Sequence, residues 1–301
     1  MKKLLILILA TLLAVSLFSC GGTPTPTEGL EYRLLDDGTY EVVGIGAAAD
    51  LEIVIPSEHG GVAISSIGQN AFSGCYNLKS ITVGNGIVSI GDGAFSGCTS
   101  LERITLPDTL ESLGTGVFLG CEALTYKEYD GGKYLGSSKN PYLVLVRAKS
   151  TELTSCKING RTRFIGSEAF FLSSALESID IPDNVKYIGY GAFRGCYNLK
   201  SISLSSNITR IESELFSGCS SLTELTIPSG TLSIGSNAFS SCSSLESIYI
   251  PASVDSIEAY AFNFCTSLLT VECEREAVGE NWSSEWLGDC KAELYLGIES
   301  K

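Results

Sequence analysis

The stretch IGDGAFSGCTSLERITLP, residues Ile90 to Pro107, recurs with its residue types in place along most of the chain. Each copy is anchored by a phenylalanine, and successive anchors are 23 residues apart except for one step of 52. A fixed period of this length predicts a solenoid, in which a unit buries its apolar face by stacking on its neighbours. The anchors are Phe72, Phe95, Phe118, Phe170, Phe193, Phe216, Phe239 and Phe262.

Residues 185 to 204 illustrate the interior that one unit predicts. Ile202 and Leu204 alternate with Ser201 and Ser203, which indicates a strand with one buried face, and stacking places equivalent strands in a parallel sheet. The segment AFRGC is typical of a single helical turn, and Gly189 suits a bend with unusual backbone angles. The residues predicted to face inward are Val185, Ile188, Phe193, Cys196, Leu199, Ile202 and Leu204.

Seven cysteines share one position, three residues after the anchor, and Ser173 takes that position in the remaining unit. This periodicity predicts a ladder of buried free thiols, since parallel side chains seldom offer a disulfide its torsion near 90°. Disulfides between adjacent units are the alternative. Zinc is disfavoured because the chain has no CxxC pair and one histidine, His59. The cysteines are Cys75, Cys98, Cys121, Cys196, Cys219, Cys242 and Cys265.

This pattern resembles the BspA-like branch of bacterial leucine-rich repeats, whose unit reads LxxIxIPxxLxxIGxxAFxxC, over residues 46 to 273. The resemblance implies a β-rich leucine-rich-repeat solenoid, α/β horseshoe-like, with parallel strands, short helical turns, about 23 residues per coil and a cap at each end. It also implies display on the cell surface and adhesion to host matrix proteins or other cells. It supplies no catalytic residue and no cofactor.

The N-terminus indicates export. Residues 1–19 combine Lys2 and Lys3 with an apolar run too short to span a membrane comfortably, as in a secretory signal peptide. The following Cys20 completes a segment, LFSC, that resembles a bacterial lipobox, which implies a lipid anchor on that cysteine in the cell envelope. Residues 20–29 then form a tether. An ordinary cleaved signal with an incidental cysteine is the alternative.

Both ends of the repeat region, residues 30–271, are predicted to be capped. Asp37-Gly38 lies between two alternating runs, which indicates a β-hairpin over the first coil. Residues 272–301 form the C-terminal cap, in which Trp282 and Trp286 cover the last coil or, alternatively, form a carbohydrate platform. A disulfide between Cys273 and Cys290 stays open, and Cys156 has no evident partner.

The 52-residue step contains an insertion, residues 125–160, with a predicted hairpin at Asp130-Gly131-Gly132 and a strand before the repeat resumes. Residues 127–163 hold eight basic residues against three acidic ones, a local net charge of +5 in a chain of net charge −14. This segment is a candidate docking surface, or a solvated hairpin whose lysines only prevent edge-to-edge aggregation. Its candidate binding residues are Lys133, Tyr134, Lys139, Tyr142, Arg147 and Lys149.

The outward strand positions are a second candidate surface. They carry mainly hydroxyl groups, which suits either a weak, extended protein-binding face or a sheet that is merely well solvated. They are Arg103, Thr105, Ser178, Asp180, Ser201, Ser203, Glu224, Thr226, Ser247 and Tyr249, and this set is called the strand face below.

These features predict a non-catalytic protein-binding module. No base, nucleophile and orienting group occur in a recognisable pattern, so neither an active site nor a metal or cofactor is expected. The net charge of −14 argues against nucleic acid. A structural spacer of the envelope and a carbohydrate-binding lipoprotein are the alternatives. An insertion that projects with exposed Tyr134 and Tyr142 would favour binding, whereas pairing of its basic residues with neighbouring acids would favour the spacer.

Overall fold

The computed structural model describes residues 25–299, which form a β-solenoid of about 11 turns with about 23 residues each. The predicted signal peptide and Cys20 lie outside these residues. Within residues 25–299 the regular elements are strands, and no helix has the length and apolarity that crossing a membrane requires.

In chain order the strands are β1 (Glu31–Leu34), β2 (Tyr40–Gly44), β3 (Glu52–Ile55), β4 (Glu58–His59), β5 (Val62–Ile67), β6 (Ser80–Val83), β7 (Ser89–Ile90), β8 (Arg103–Thr105), β9 (Ser112–Leu113), β10 (Lys127–Tyr129), β11 (Gly132–Leu135) and β12 (Val144–Ala148). They continue with β13 (Phe164–Ile165), β14 (Ser178–Asp180), β15 (Tyr187–Ile188), β16 (Ser201–Ser203), β17 (Arg210–Ile211), β18 (Ser233–Ile234), β19 (Ser247–Ile250), β20 (Ser256–Ile257), β21 (Thr270–Cys273), β22 (Asn281–Trp282) and β23 (Glu293–Tyr295).

The strands form two parallel ladders along the solenoid. The long-strand ladder consists of the paired groups β3-β6-β8, β14-β16 and β19-β21-β23, and the short-strand ladder consists of β2-β5-β7-β9, β12-β13-β15 and β17-β18-β20-β22. Paired residues are one repeat apart, as Ile179 is beside Ile202. Equivalent side chains of successive units therefore stack, as the sequence predicts.

The core is a column of stacked anchor rings. Phe193 and Phe216, for example, have ring centroids 5.8 Å apart and planes 11° from parallel. Of the seven residues predicted to face inward in residues 185 to 204, Leu204 is half-buried and the others are buried. Burying a phenylalanine stabilises the fold by about 1.5–3 kcal/mol, so the column is a main source of stability.

The predicted helical turn around each anchor is wrong. Gly191 and Gly195, two residues before and two after Phe193, have φ of 56° and 73°, and a left-handed residue cannot continue a right-handed helix. Gly189 has no positive φ; it is required because a Cβ there would come within 2.5 Å of the Ser167 nitrogen of the adjacent turn. Close stacking, rather than an unusual bend, explains this glycine.

The cysteine ladder is free and largely buried. All described cysteines, including Cys273 and Cys290, are free thiols. Each thiol in the ladder except Cys75, which lies in the first anchor turn, donates to the carbonyl of the preceding turn's anchor, as Cys196 Sγ does to Phe170 O at 3.2 Å. The hydrogen bond explains the residue choice, because a thiol fills the narrow interior and also satisfies a backbone acceptor.

Both ends differ in construction. At the N-terminus, β1 and β2 form an antiparallel hairpin around Asp37-Gly38, and β2 pairs in parallel with β5. At the C-terminus, β22 and β23 pair in parallel with β20 and β21, so the residues predicted as a cap form a further coil. Trp282 and Trp286 are buried, and Trp286 meets the Phe262 ring edge to face at 5.7 Å. They are core residues, which excludes an exposed platform.

The insertion joins two stacks. β10, β11 and β12 form an antiparallel meander, and β12 pairs in parallel with β13. The solenoid is accordingly divided into an N-terminal stack, residues 30–124, and a C-terminal stack, residues 143–295. Their apolar cores meet at the start of the second stack, where Leu143, Val144, Val146 and Phe164 pack in the first core and Leu145 and Ile165 in the second. The meander connects them, since Leu135 packs in the first core and Tyr134 in the second.

Candidate functional site

The strand face is exposed and regularly spaced. Its residues are exposed except for Tyr249, which is half-buried, and they lie in strands except for Glu224 and Thr226, which lie in an irregular segment between β17 and β18. Ser178 lies beside Ser201 and Asp180 beside Ser203, in neighbouring parallel strands, about 4.8 Å apart. Alternation along the strand produces this arrangement, because Ile179 and Ile202 between them face the core. The face thus presents columns of short polar side chains.

Charged residues on the strand face make weak contacts. Arg103 lies 3.5 Å from Glu52 and 3.7 Å from Glu102, and all three side chains are exposed. Such exposed pairs contribute about 0–1 kcal/mol, and they are screened by salt. These side chains are therefore available to exchange their partners for groups on a ligand.

The strand face extends further than the sequence predicts. Tyr249 lies beside Glu272, and Glu272 beside Tyr295, in successive strands of the long-strand ladder. Tyr295 remains substantially exposed, and its hydroxyl donates to Glu293 at 2.6 Å. This extension could have been predicted from the alternating segment AELYLG, which is typical of a strand. The segment follows Cys290 much as the repeat strands follow the ladder cysteines.

The candidate residues of the insertion do not form one docking surface. Tyr134 is fully buried, and burial raises the pKa of its hydroxyl. Its ring packs edge-on against half-buried Tyr142, with centroids 5.6 Å apart. The expectation that Tyr134 contacts a partner is wrong, because β11 lies between two paired strands and turns this side chain into the core.

The basic residues of the insertion form no single exposed patch: Lys133 and Arg147 are cross-strand partners that both lie against Tyr126, whereas Lys139 lies apart. Lys149 Nζ donates to Glu128 at 2.7 Å, and the Lys133 amine lies 5.8 Å from the centre of the Tyr126 ring. Arg147 donates to the Tyr126 hydroxyl at 2.9 Å. Lys139 is exposed at a distant loop. Because Tyr134 is buried and Lys149 pairs with an acidic neighbour, the insertion favours a connecting role over a docking role.

The remaining chemistry of the described residues is sparse. His59 stacks on Tyr32 with ring centroids 4.2 Å apart, and it belongs to the N-terminal hairpin region. Within residues 25–299 no group of three or more His, Cys, Asp or Glu is arranged to hold a metal ion. Burial raises the pKa of Cys196 to about 12, so this thiol is protonated and weakly nucleophilic.

Comparison with known proteins identifies the repeat. The family model described as the BspA type leucine-rich repeat region matches residues 52–135 and 148–272 with six copies. No curated protein matches the chain significantly.

Several solved structures are similar. A leucine-rich cell surface protein from Faecalibacterium prausnitzii A2-165 is 24% identical, with 84% of this chain and 95% of that chain covered and a TM-score of 0.48. A leucine-rich repeat protein of T. pallidum is 27% identical over 74% and 91%, with a TM-score of 0.42. One from Eubacterium ventriosum ATCC 27560 is 20% identical over 91% and 95%, with a TM-score of 0.43.

Proposed function

The chain belongs to the BspA-type leucine-rich repeat family, and on that premise we propose that it is a non-catalytic module of the cell surface that adheres to proteins of a host matrix or of other cells. The observation that carries this proposal is the strand face, an exposed array of polar side chains on a rigid ladder. Outward residues of a solenoid can vary without disturbing the core, which suits them to partner recognition.

The mode of binding follows from the composition of the face. Hydroxyl and carboxylate groups in parallel columns offer many hydrogen bonds and few apolar anchors, so the contact is extended and individually weak. Display of many copies on one cell would compensate through multivalency. A sugar site at the tryptophans gains less support, since Trp282 and Trp286, which the sequence offers as a platform, are both buried.

Attachment to the envelope is the second part of the proposal. Cys20 becomes the lipidated N-terminus after removal of residues 1–19, and residues 20–29 tether the solenoid to the membrane. The charged start, the apolar run and the small residue before the cysteine support this. Metabolic labelling with a fatty acid tests it: wild type should carry label and Cys20→Ser should not, whereas label retained by Cys20→Ser would refute the anchor.

The binding face is tested with matched triple variants of the protein, assayed on purified matrix proteins and on whole cells. The first variant carries Asp180→Lys, Ser201→Lys and Ser203→Lys. These changes make the charge of the strand face positive and place longer side chains on it. Their control carries Ser112→Lys, Thr209→Lys and Asp255→Lys, which make the same charge change at exposed positions by the short-strand ladder.

We expect the strand-face variant to lose at least about tenfold in affinity, as for a change of about 1.4 kcal/mol, and the control to bind like wild type. Equal binding by both variants would refute the face. Absence of binding to any matrix protein or cell would favour the spacer, which the dispersed contacts of the insertion already support.

A further inference from the structure

A cleft separates the two stacks beside Phe118. Its volume is about 190 Å³; one wall is the last turn of the N-terminal stack, residues 113–122, and the other contains Val146, Arg147 and residues 166–168. Pockets for small molecules usually have about 300–1,000 Å³. The cleft is therefore smaller than a typical small-molecule pocket, and what it could bind is indicated by the groups on its walls.

The wall around Phe118 carries unpaired backbone donors. In the other turns from Phe72 to Phe239, three N–H groups, at the anchor and two residues to each side, donate to carbonyls of the next turn. Those of Phe95 and Gly97, for example, reach Val117 O at 3.1 Å and Leu119 O at 2.7 Å. The N–H groups of Phe118 and Gly120 are paired with no acceptor within residues 25–299.

The meander explains why these donors are free. Ala148 N–H donates to Ala169 O at 2.6 Å, which is the bond that an anchor phenylalanine makes elsewhere. The insertion thus supplies the first rung of the C-terminal stack and leaves the last turn of the N-terminal stack without a successor. Gly116 N–H bridges the gap to Ser167 Oγ at 3.0 Å. The next two donors in this row, two and four residues on, face the cleft.

Arg147 places a positive charge at the same cleft, whose lining also contains two carboxylates, Glu122 and Glu168, the second of which pairs with Arg194 at 3.0 Å. Its guanidinium donates to the Tyr126 hydroxyl at 2.9 Å and lies 5.3 Å from the centre of that ring, which holds its orientation. Among residues 25–299 no carboxylate forms an ion pair with it. A held guanidinium without a counter-ion is well suited to a carboxylate, which it can bind through two parallel hydrogen bonds.

We propose that this cleft binds an extended peptide segment that carries a carboxylate side chain. Carbonyl oxygens of the peptide accept from the N–H groups of Phe118 and Gly120, whose alternate spacing matches an added strand. The carboxylate pairs with Arg147, and Leu119 supplies an apolar rim. The proposal rests on the proposed function, because it specifies a second, short-peptide contact for a protein-binding module.

The test uses the full chain labelled with ¹⁵N and two peptides, Ac-TVEVT-amide and Ac-TVQVT-amide. Before addition, the amides of Phe118 and Gly120 should exchange with solvent much faster than those of Phe95 and Gly97. The glutamate peptide should shift the resonances of Phe118, Gly120 and the Arg147 side chain and slow exchange of the two amides. Unchanged resonances at all three residues would overturn the proposal.

Two variants with matched controls assign the carboxylate. Arg147→Gln should raise the dissociation constant of the glutamate peptide at least about tenfold, as expected for loss of a hydrogen bond to a charged group. Leu119→Glu should also raise it, because the new carboxylate at the rim repels that of the peptide. Arg275→Gln and Leu232→Glu repeat these changes at sites remote from the cleft, where Leu232 is 55% exposed and Leu119 is 56% exposed. The controls should bind like wild type.

The outcomes separate this site from the strand face. Equal affinity for both peptides, undiminished by Arg147→Gln, would overturn the assignment of the carboxylate. The strand-face triple variant should still bind the glutamate peptide. If that variant loses adhesion but keeps peptide binding, the loss bears on the proposed function of the strand face and not on the cleft. Loss of peptide binding in Arg275→Gln or Leu232→Glu as well would also contradict the cleft.

Discussion

At the scale of the residue, the ladder thiols make stability depend on pH. Burial raises the pKa of Cys265 to about 12, and that of Cys219 well above its ordinary value of 9.0. Below about pH 9 the thiols hold their protons in both the folded and the unfolded chain, so the thiols do not reduce the free energy of unfolding. Between about pH 9 and 12 the unfolded chain loses thiol protons while the folded chain keeps them, so the folded state becomes less stable relative to the unfolded state.

We expect the unfolding free energy to fall over this interval, and the decline in Cys219→Ala to be shallower by about 1.4 kcal/mol per pH unit. Ser173→Ala, at the ladder position without a thiol, should decline like wild type. Urea titrations from pH 8 to 11 measure these slopes, and equal slopes for wild type and Cys219→Ala would contradict the account.

At the scale of the element, the meander is a packed part of the solenoid. Its strand β11 is buried along most of its length, and Tyr134 packs among Tyr129, Tyr142 and the core of the C-terminal stack. Tyr134→Ala should therefore destabilise the fold by about 3–5 kcal/mol, the range for removing a large aromatic side chain from a core. Lys139→Ala, on an exposed loop of the same insertion, should change stability by less than about 0.5 kcal/mol. Urea unfolding midpoints compare the two variants. A Tyr134→Ala midpoint equal to that of wild type would contradict the burial of this side chain in the core.

At the scale of the whole molecule, basic residues that follow the insertion stabilise the joint between the stacks. Arg163 and Lys186 both pair with Glu111, at 3.0 and 2.7 Å, across the junction from the C-terminal to the N-terminal stack. Thr115 and Tyr187 also meet there, with hydroxyl oxygens 3.5 Å apart. The interruption of the repeat thus replaces one regular interface between successive turns. Polar contacts join the two stacks on one side of the solenoid, and the cleft remains on another side. The two faces proposed for a partner are the strand face, which is distributed over three separate sheets of the long-strand ladder, and the cleft, which exists because the repeat is interrupted.

The features that repeat every 23 residues could be predicted from the sequence, because each unit reports the same environment. The burial of Phe193 and Cys196, the exposure of Ser201 and the parallel register all follow from that period and its alternation. The predicted helical turn was wrong because Gly191 and Gly195 have left-handed backbone angles. The predicted bend at Gly189 was wrong because that glycine permits close stacking, and composition alone does not distinguish these two uses of glycine.

The insertion and its cleft depend on contacts that no local pattern encodes. Tyr134 lies in a basic segment with turn signals on both sides, and its burial results from pairing of β11 with both β10 and β12. Gly116 and Ser167 meet although 51 residues separate them, and Lys186 reaches Glu111 across 75 residues. Free donors at Phe118 and Gly120 are a consequence of which strand occupies the next rung, and that depends on long-range packing, not on the residues that carry the donors.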